Sequence, residues 1–332
     1  MTWLSAALAA IPCFIASLAG TRAVLAFLER RAILDHPNER SSHAVPTPRG
    51  GGLALMAVLL PAWLLIALFT PGADLLVLWP LAAALGLAAV SWRDDLKALP
   101  ASFRLAAQIA AIVAGSVALA RTGPVFQGLL PLWLDRLAAG FLWLWFLNLF
   151  NFMDGIDGIA GSETACLGIG AACVAMLAGR DAGLPLYGLA AASAALGFLW
   201  WNWQPARIFL GDVGSVPLGY LLAWLLLELA GRGLWAPALL LPLYYVADAT
   251  ITLLRRLLRG DRFWRAHREH FYQKATQGGL SHARVVETIL VANLGLLGLA
   301  LWASVASPWL PLGLGGLAVA ALLAFLGTRQ GG

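Results

Sequence analysis

Residues 148–160, NLFNFMDGIDGIA, set Asn148, Asn151, Asp154 and Asp157 between apolar runs at 134–151 and 160–179. Each run is long enough to cross about 30 Å of hydrocarbon as a helix, so the polar stretch is the turn between two spans at one membrane surface. Asp154 and Asp157 stand three apart, a spacing that aims both carboxylates the same way on a helical turn. Gly155 and Gly158 remove side chains and let a ligand approach the backbone. Carboxylates beside hydrocarbon require a metal, another cation or a water-filled pocket. A polar connection is the plain alternative for one Asp alone, but the unit N-x-x-N-x-x-D-G-x-D-G favours a site for something charged.

The rest of the chain has the same character. Of 332 residues, 61% are hydrophobic and only 12% charged, whereas soluble domains carry about a quarter charged residues. Apolar runs at 4–28, 52–70, 75–91, 103–121, 134–151, 160–179, 184–201, 213–230, 235–258, 285–303 and 309–327 make eleven spans. The expected fold is therefore all-α: a polytopic integral membrane protein with about 11 transmembrane helices, forming one domain over 1–332. The first run has no basic residues ahead of it and is expected to be a retained helix rather than a cleaved signal. Cys13, Cys166 and Cys173 lie in apolar stretches without ligand-like neighbours and are read as small buried hydrophobes.

The polar stretches alternate in two sets. One holds 29–51, 92–102, 151–160, 202–212, 259–284 and the C-terminal tail, with most of the Lys and Arg; the other holds only Arg121, Arg136, Arg180 and Arg232. The positive-inside rule puts the first set in the cytoplasm, the N-terminus outside and the C-terminus inside. The net charge of +5 thus reflects membrane orientation and gives no reason to expect nucleic acid.

Every chemically suggestive motif lies on that cytoplasmic side. The loop DHPNERSSHAVPTPRGGGLA carries His36, His43, Thr47 and Arg49 ahead of Gly50, Gly51 and Gly52; glycine N–H groups near a helix start suit a phosphate. In SWRDDLKALPASFR, Asp94 and Asp95 are adjacent, with Lys97 behind them; neighbouring acids repel, so one or both need a cation or a shared proton. Asp212, in FLGDVGS ten residues after Asn202, either caps a helix or binds a divalent ion completed by phosphate oxygens. Arg256, Arg259, Arg262, Arg265 and Arg268 form a basic collar, attractive to anionic lipid. His267 and His270 share a helical face and suit a phosphate or metal contact. Asp248, inside the ninth run, either pairs with Arg255 or Arg256 or lines the site.

These five stretches together resemble the polyprenyl-phosphate N-acetylhexosamine-1-phosphate transferase family. The likeness runs from Asp35 to Ala283 through His43–Gly52, Asp94–Lys97, Asn148–Gly158, Asn202–Ser215 and the histidine loop at His267. It implies transfer of a sugar 1-phosphate from a UDP-sugar to polyprenyl (undecaprenyl) phosphate in the bacterial inner membrane, releasing UMP, with Mg²⁺ as cofactor and Mn²⁺ as a substitute. Under it Asp212 is the principal metal ligand, Asp94 the base, Asp95 a helper near the metal, and His267 a phosphate contact. Asn148, Asn151, Asp154, Asp157 and Asn202 are the uridine and sugar pocket, with His43, Thr47, Arg49, Lys97, Arg265, Arg268 and His270 as further substrate contacts. The partners are the two substrates and membrane lipid, with a homodimer as an option. The histidine loop, HREHFYQ, lacks the consecutive histidines of the peptidoglycan branch and looks like the branch that starts O-antigen or related surface glycans.

The physical logic agrees. Two phosphate-bearing substrates repel, and a divalent ion aligns them while neutralising charge. A phosphate monoester has its second pKa near about 6, so a base has little to gain and Asp94 is equally readable as a nucleophile. An ion-coupled transporter would place its polar residues near the membrane midplane, and a Mg-dependent prenyltransferase has no use for the asparagines of the third and fourth loops.

Overall fold

The computed structural model describes residues 3–37, 45–179, 183–261 and 267–328. Among them, ten helices are long and apolar enough to cross a membrane. The spanning helices are α1 (Trp3–Arg30), α2 (Gly52–Phe69), α3 (Leu78–Leu96), α4 (Ala101–Gly115), α5 (Leu132–Met153), α6 (Ile159–Ala178), α7 (Gly183–Asn202) and α8 (Asp212–Gly231), then α12 (His282–Val305) and α13 (Trp309–Gly327). The protein is a multi-pass membrane protein. Among the described residues the only strands are a two-residue antiparallel pair, β1 (Leu34–Asp35) with β2 (Thr47–Pro48).

The ninth expected span differs. Residues 235–258 form two helices, α9 (Trp235–Leu240) and α10 (Leu243–Leu258), parted at Leu241 and Pro242. Pro242 has no N–H to continue the α9 ladder, so the chain restarts there. α10 is also two-faced: Tyr244, Tyr245, Asp248 and Thr252 are buried while Leu254, Leu257 and Leu258 are exposed. A short helix α11 (Phe271–Gln277) precedes α12.

α8 is the central post. Val213 through Gly231 are all buried, as expected of a helix hydrophobic on every side. α3, α5, α2, α6 and α9 pack around it, while α7 joins α6 to α1. Small residues allow the tightest crossings, the usual device where lipid gives helices no hydrophobic reason to associate. A β-carbon on Gly52 would lie 2.2 Å from Gly214 Cα, and one on Gly168 would lie 2.4 Å from the Gly188 carbonyl oxygen. Buried polar side chains take backbone carbonyls of other helices: Trp143 donates to Tyr220 O (2.8 Å), Tyr220 to Ala111 O (2.8 Å) and Trp63 to Tyr187 O (3.0 Å). The α2–α8 crossing matters most for chemistry, because it fixes the start of α8 against the first loop.

Gly52→Val is therefore expected to part α2 from α8 at a cost of about 3 kcal/mol or more, seen as loss of monodisperse protein on size exclusion in detergent. Gly86→Val, at a position with nothing within 4 Å, is the matched control. Equal recovery of the two variants would rule out this packing.

Candidate active site

The first loop and the stretch before α8 are zipped together by backbone. Phe209 N–H donates to Pro48 O (2.8 Å); Gly50 and Gly51 donate to Phe209 O (3.1 and 2.8 Å) and Gly52 to Leu210 O (2.8 Å). The glycine N–H groups expected to meet a phosphate are thus engaged within the protein. What the zipper delivers is Arg49, set against the start of α8.

There the acids and arginines interlock. Asp95, with a side chain 1% exposed, accepts the N–H groups of Asp212 (3.1 Å) and Val213 (2.9 Å), capping α8 from another helix at its positive end. Arg49 Nη2 lies 2.9 Å from both Asp95 Oδ1 and Asp212 Oδ1. Arg104 Nη1 lies 2.9 Å from Asp94 Oδ2 and 3.9 Å from Asp212 Oδ2; the other oxygen of Asp94 accepts Leu99 N–H at 2.6 Å. Asn151 Nδ2 reaches Asp212 Oδ1 (3.3 Å) and Ser215 Oγ (2.7 Å). Asp94, Asp95 and Asp212 come from the end of one helix and the start of another and share one cluster.

Asp154 ends α5 beside them. Among the described residues its carboxyl has no hydrogen-bond partner. Burial, then the charge of Asp212, pushes its pKa from 3.8 up to about 7. The turn around it is pinned from several sides: Asn202 Oδ1 accepts Gly158 N–H (3.0 Å) while its amide donates to Ile208 O (2.9 Å). Asp157 accepts Ala206 N–H (3.1 Å) and faces His282 Nδ1 at 3.3 Å. Tyr272 OH donates to Phe152 O (3.2 Å), and a β-carbon on Gly155 would meet that hydroxyl at 2.2 Å.

The histidine loop hangs on Asp248. That buried carboxylate accepts Phe271 and Tyr272 N–H (3.1 and 3.3 Å), takes the Tyr244 hydroxyl (3.0 Å) and lies 3.1 Å from His270 Nδ1. His270, 2% exposed, is sandwiched between His267 and Tyr272. His267 Nδ1 accepts Glu269 N–H (3.4 Å). Burial, followed by the neighbouring His270 and Arg256, pushes its pKa down to about 4. Glu269 is clamped by Arg256 and Arg259, so part of the basic collar is neutralised internally.

Several of the expected substrate contacts have partners within the protein. Thr47 is buried and donates to Val45 O. Asn148 turns sideways to Gln108 on α4. Asn202, Asp157 and His270 hold turns together, and Asp248 anchors the loop without pairing to Arg255 or Arg256. Asp95 has both oxygens on backbone N–H groups, one of them also on Arg49. Lys97 is exposed at the end of α3, and Arg268, also of the loop, gives its carbonyl to Gln277. His43 and Arg265 lie outside the described residues. The residues missed were Arg104, Glu269, Tyr272 and His282; Glu269 and Tyr272 lie inside the HREHFYQ stretch and Arg104 closes SWRDDLKALPASFR, but their residue types marked no role.

Among the described residues no three His, Cys, Asp or Glu side chains form a self-sufficient metal cage. One or two carboxylates, here Asp212 with Asp154, fit an ion of the Mg²⁺ kind, which takes the rest of its shell from phosphate and water.

A model of "Glycosyl transferase family 4" matches residues 77–230, from α3 to the last residues of α8. The chain is 26% identical to a probable undecaprenyl-phosphate N-acetylglucosaminyl 1-phosphate transferase of Bacillus subtilis, covering 84% of this chain and 80% of that one. It is 30% identical to the decaprenyl-phosphate N-acetylglucosaminephosphotransferase of Mycobacterium tuberculosis, covering 84% and 78%. It is 35% identical to a phospho-N-acetylmuramoyl-pentapeptide-transferase of Picosynechococcus over 52% of this chain and 50% of the relative.

The state of Asp154 gives a pH test. Its folded pKa stands above the ordinary 3.8, so the folded protein favours the protonated acid, and stability falls as pH rises from about 4 through about 7. Asp154→Asn removes that loss. Its melting temperature in detergent should exceed wild type by about 3 °C near pH 8 and match it near pH 4. A difference independent of pH would refute the assignment.

Proposed function

Because this chain belongs to glycosyl transferase family 4, we propose that it moves the 1-phosphate of an N-acetylated amino sugar from a UDP-sugar onto undecaprenyl or another polyprenyl phosphate, releasing UMP. The membrane is the bacterial cytoplasmic one; with α9 and α10 together making an eleventh crossing, the site and C-terminus face inward and the N-terminus outward. The product starts O-antigen or a related surface glycan. The observation that carries this reading is the convergence on Asp212 of Arg49, Arg104 and Asn151 from three other parts of the chain, beside Asp154, whose carboxyl has no hydrogen-bond partner among the described residues. Relatives named for polyprenyl-phosphate sugar transfer favour it over a transporter or a prenyltransferase.

In the proposed reaction an oxygen of the lipid phosphate attacks the sugar-bearing phosphorus of the donor. A new P–O–P link forms as the old one breaks, and UMP leaves with the bridging oxygen. Asp212, with Asp154, would hold Mg²⁺ or Mn²⁺, which supplies charge neutralisation and alignment when bound. Catalysis of this kind is mostly positioning and electrostatics. Asp95 fixes the start of α8 and thereby the place of Asp212. The lipid phosphate is largely dianionic at neutral pH and needs no base, so Asp94 acts by holding Arg104 over the site as counter-charge. His267, neutral at physiological pH, donates from Nε2 to a phosphate oxygen, since its Nδ1 is an acceptor.

Purified enzyme given a panel of UDP-sugars and polyprenyl phosphate should release UMP with an N-acetylated donor, dependent on divalent ion. Asp212→Asn should abolish release, whereas Asp94→Asn and Arg104→Gln should each lower it by a similar factor of about 10². An inactive Asp94→Asn beside a fully active Arg104→Gln would make Asp94 a base or nucleophile instead.

A further inference from the structure

Asp212 meets a guanidinium on each side. Arg49 touches its Oδ1 at 2.9 Å, and Arg104 stands 3.9 Å from its Oδ2. The two carboxylates that share Arg49 are unequal. Asp95 is 1% exposed and already accepts two N–H groups at the head of α8. Asp212 is 20% exposed and accepts only side-chain donors among the described residues. Arg49 can therefore release Asp212 and stay on Asp95. Gly211 makes the arrangement possible: at φ +73° a side chain is strained, and its β-carbon would lie 2.9 Å from Asp95 Oδ2 and 3.4 Å from Arg49 Cγ.

Resting on the reading of the site as a divalent-ion-dependent phosphoryl transferase, we propose that Arg49 is a built-in cation at Asp212 which the divalent ion displaces. The guanidinium, still anchored by Asp95, then lies beside the ion as a contact for the donor diphosphate. A dication and a guanidinium cannot both occupy Oδ1 at contact distance, and their repulsion is poorly screened in a half-buried site. Whatever Arg49 contributes to Asp212 in the resting protein is subtracted from the ion's affinity. The ion is thus held weakly until phosphate oxygens complete its shell, and ion and nucleotide bind cooperatively. Arg49 acts both as a gate on ion binding and as a positioning residue for the donor.

The test is Mn²⁺ binding to full-length protein in detergent, read from the EPR signal of free Mn²⁺, with and without UDP. Without UDP, Arg49→Gln should bind Mn²⁺ about tenfold more tightly than wild type, a modest part of the repulsion between charges in contact, and UDP should improve Mn²⁺ affinity less in this variant than in wild type. Arg49→Lys keeps a cation on a side chain one bond shorter, which reaches the two acids less closely; it should show a smaller gain and decides the matter if Arg49→Gln does not fold. Affinity equal to or weaker than wild type in the folded Arg49 variants overturns the proposal. Asp212→Asn separates the two levels. If it binds Mn²⁺ like wild type, the metal reading of the site fails. If it loses Mn²⁺ while the Arg49 variants are unchanged, only the displacement fails.

Discussion

A carboxylate at the edge of a hydrocarbon slab must be satisfied, and in this protein several are satisfied by the backbone of another segment. Asp95 of α3 caps α8, and Asp248 of α10 takes the first N–H groups of α11. Asp157 holds Ala206, and Asp135 of α5 accepts Val125 and Phe126. Each is a charge-assisted bond at a place where unpaired groups are expensive, worth about 1.5–3 kcal/mol. Few charges are present, and most of those named join elements far apart in sequence. The helix ends on the site face are thus tied to one another by acids as well as by the backbone zipper between the first loop and the stretch before α8.

That constraint sorts the acids. Those that accept backbone N–H groups are committed to the fold, since moving them would leave both a carboxylate and a helix end unpaired. Asp212 accepts only side chains, which can rotate away, and Asp154 has no partner among the described residues. These two are the acids a ligand can reorganise at little structural cost. Both are neighbours of the committed ones, Asp212 through Asp95 and Asp154 through the turn that Asn202 and Tyr272 pin. The rigid acids set the geometry, and the adjustable acids are the ones the proposed function uses.

The sequence made the spans and the clustering of motifs on one face legible, because apolar run length and the placement of Lys and Arg are local properties. It did not show which acid does what. Asp94, Asp95, Asp154 and Asp212 look alike as motif residues, and the difference lies in partners as many as 163 positions away. The Gly50–Gly52 run was readable as a phosphate cradle only because Phe209 and Leu210, which take its N–H groups, are remote. The break before α10 was within reach: Pro242 stands inside an apolar run whose length alone suggested one helix. Arg104 and Glu269 gave no warning, since one looked like an ordinary flanking arginine and the other like filler between histidines.

The histidine loop shows how far this organisation extends. Asp248 fixes the first turn of α11, which carries Tyr272, and the Tyr272 hydroxyl reaches Phe152 O beneath the Asp154 turn. Gly155 must lack a side chain because that hydroxyl occupies its place. The loop and the acid turn are therefore one body, joined through the Asp248 carboxylate and a phenol rather than through covalent neighbours. His267 rides on that body by stacking over His270. Burial keeps its imidazole uncharged, so it offers direction without charge. The positive charge placed against Asp212 is that of Arg49 and Arg104, and under the proposed function a divalent ion would compete with them for that carboxylate.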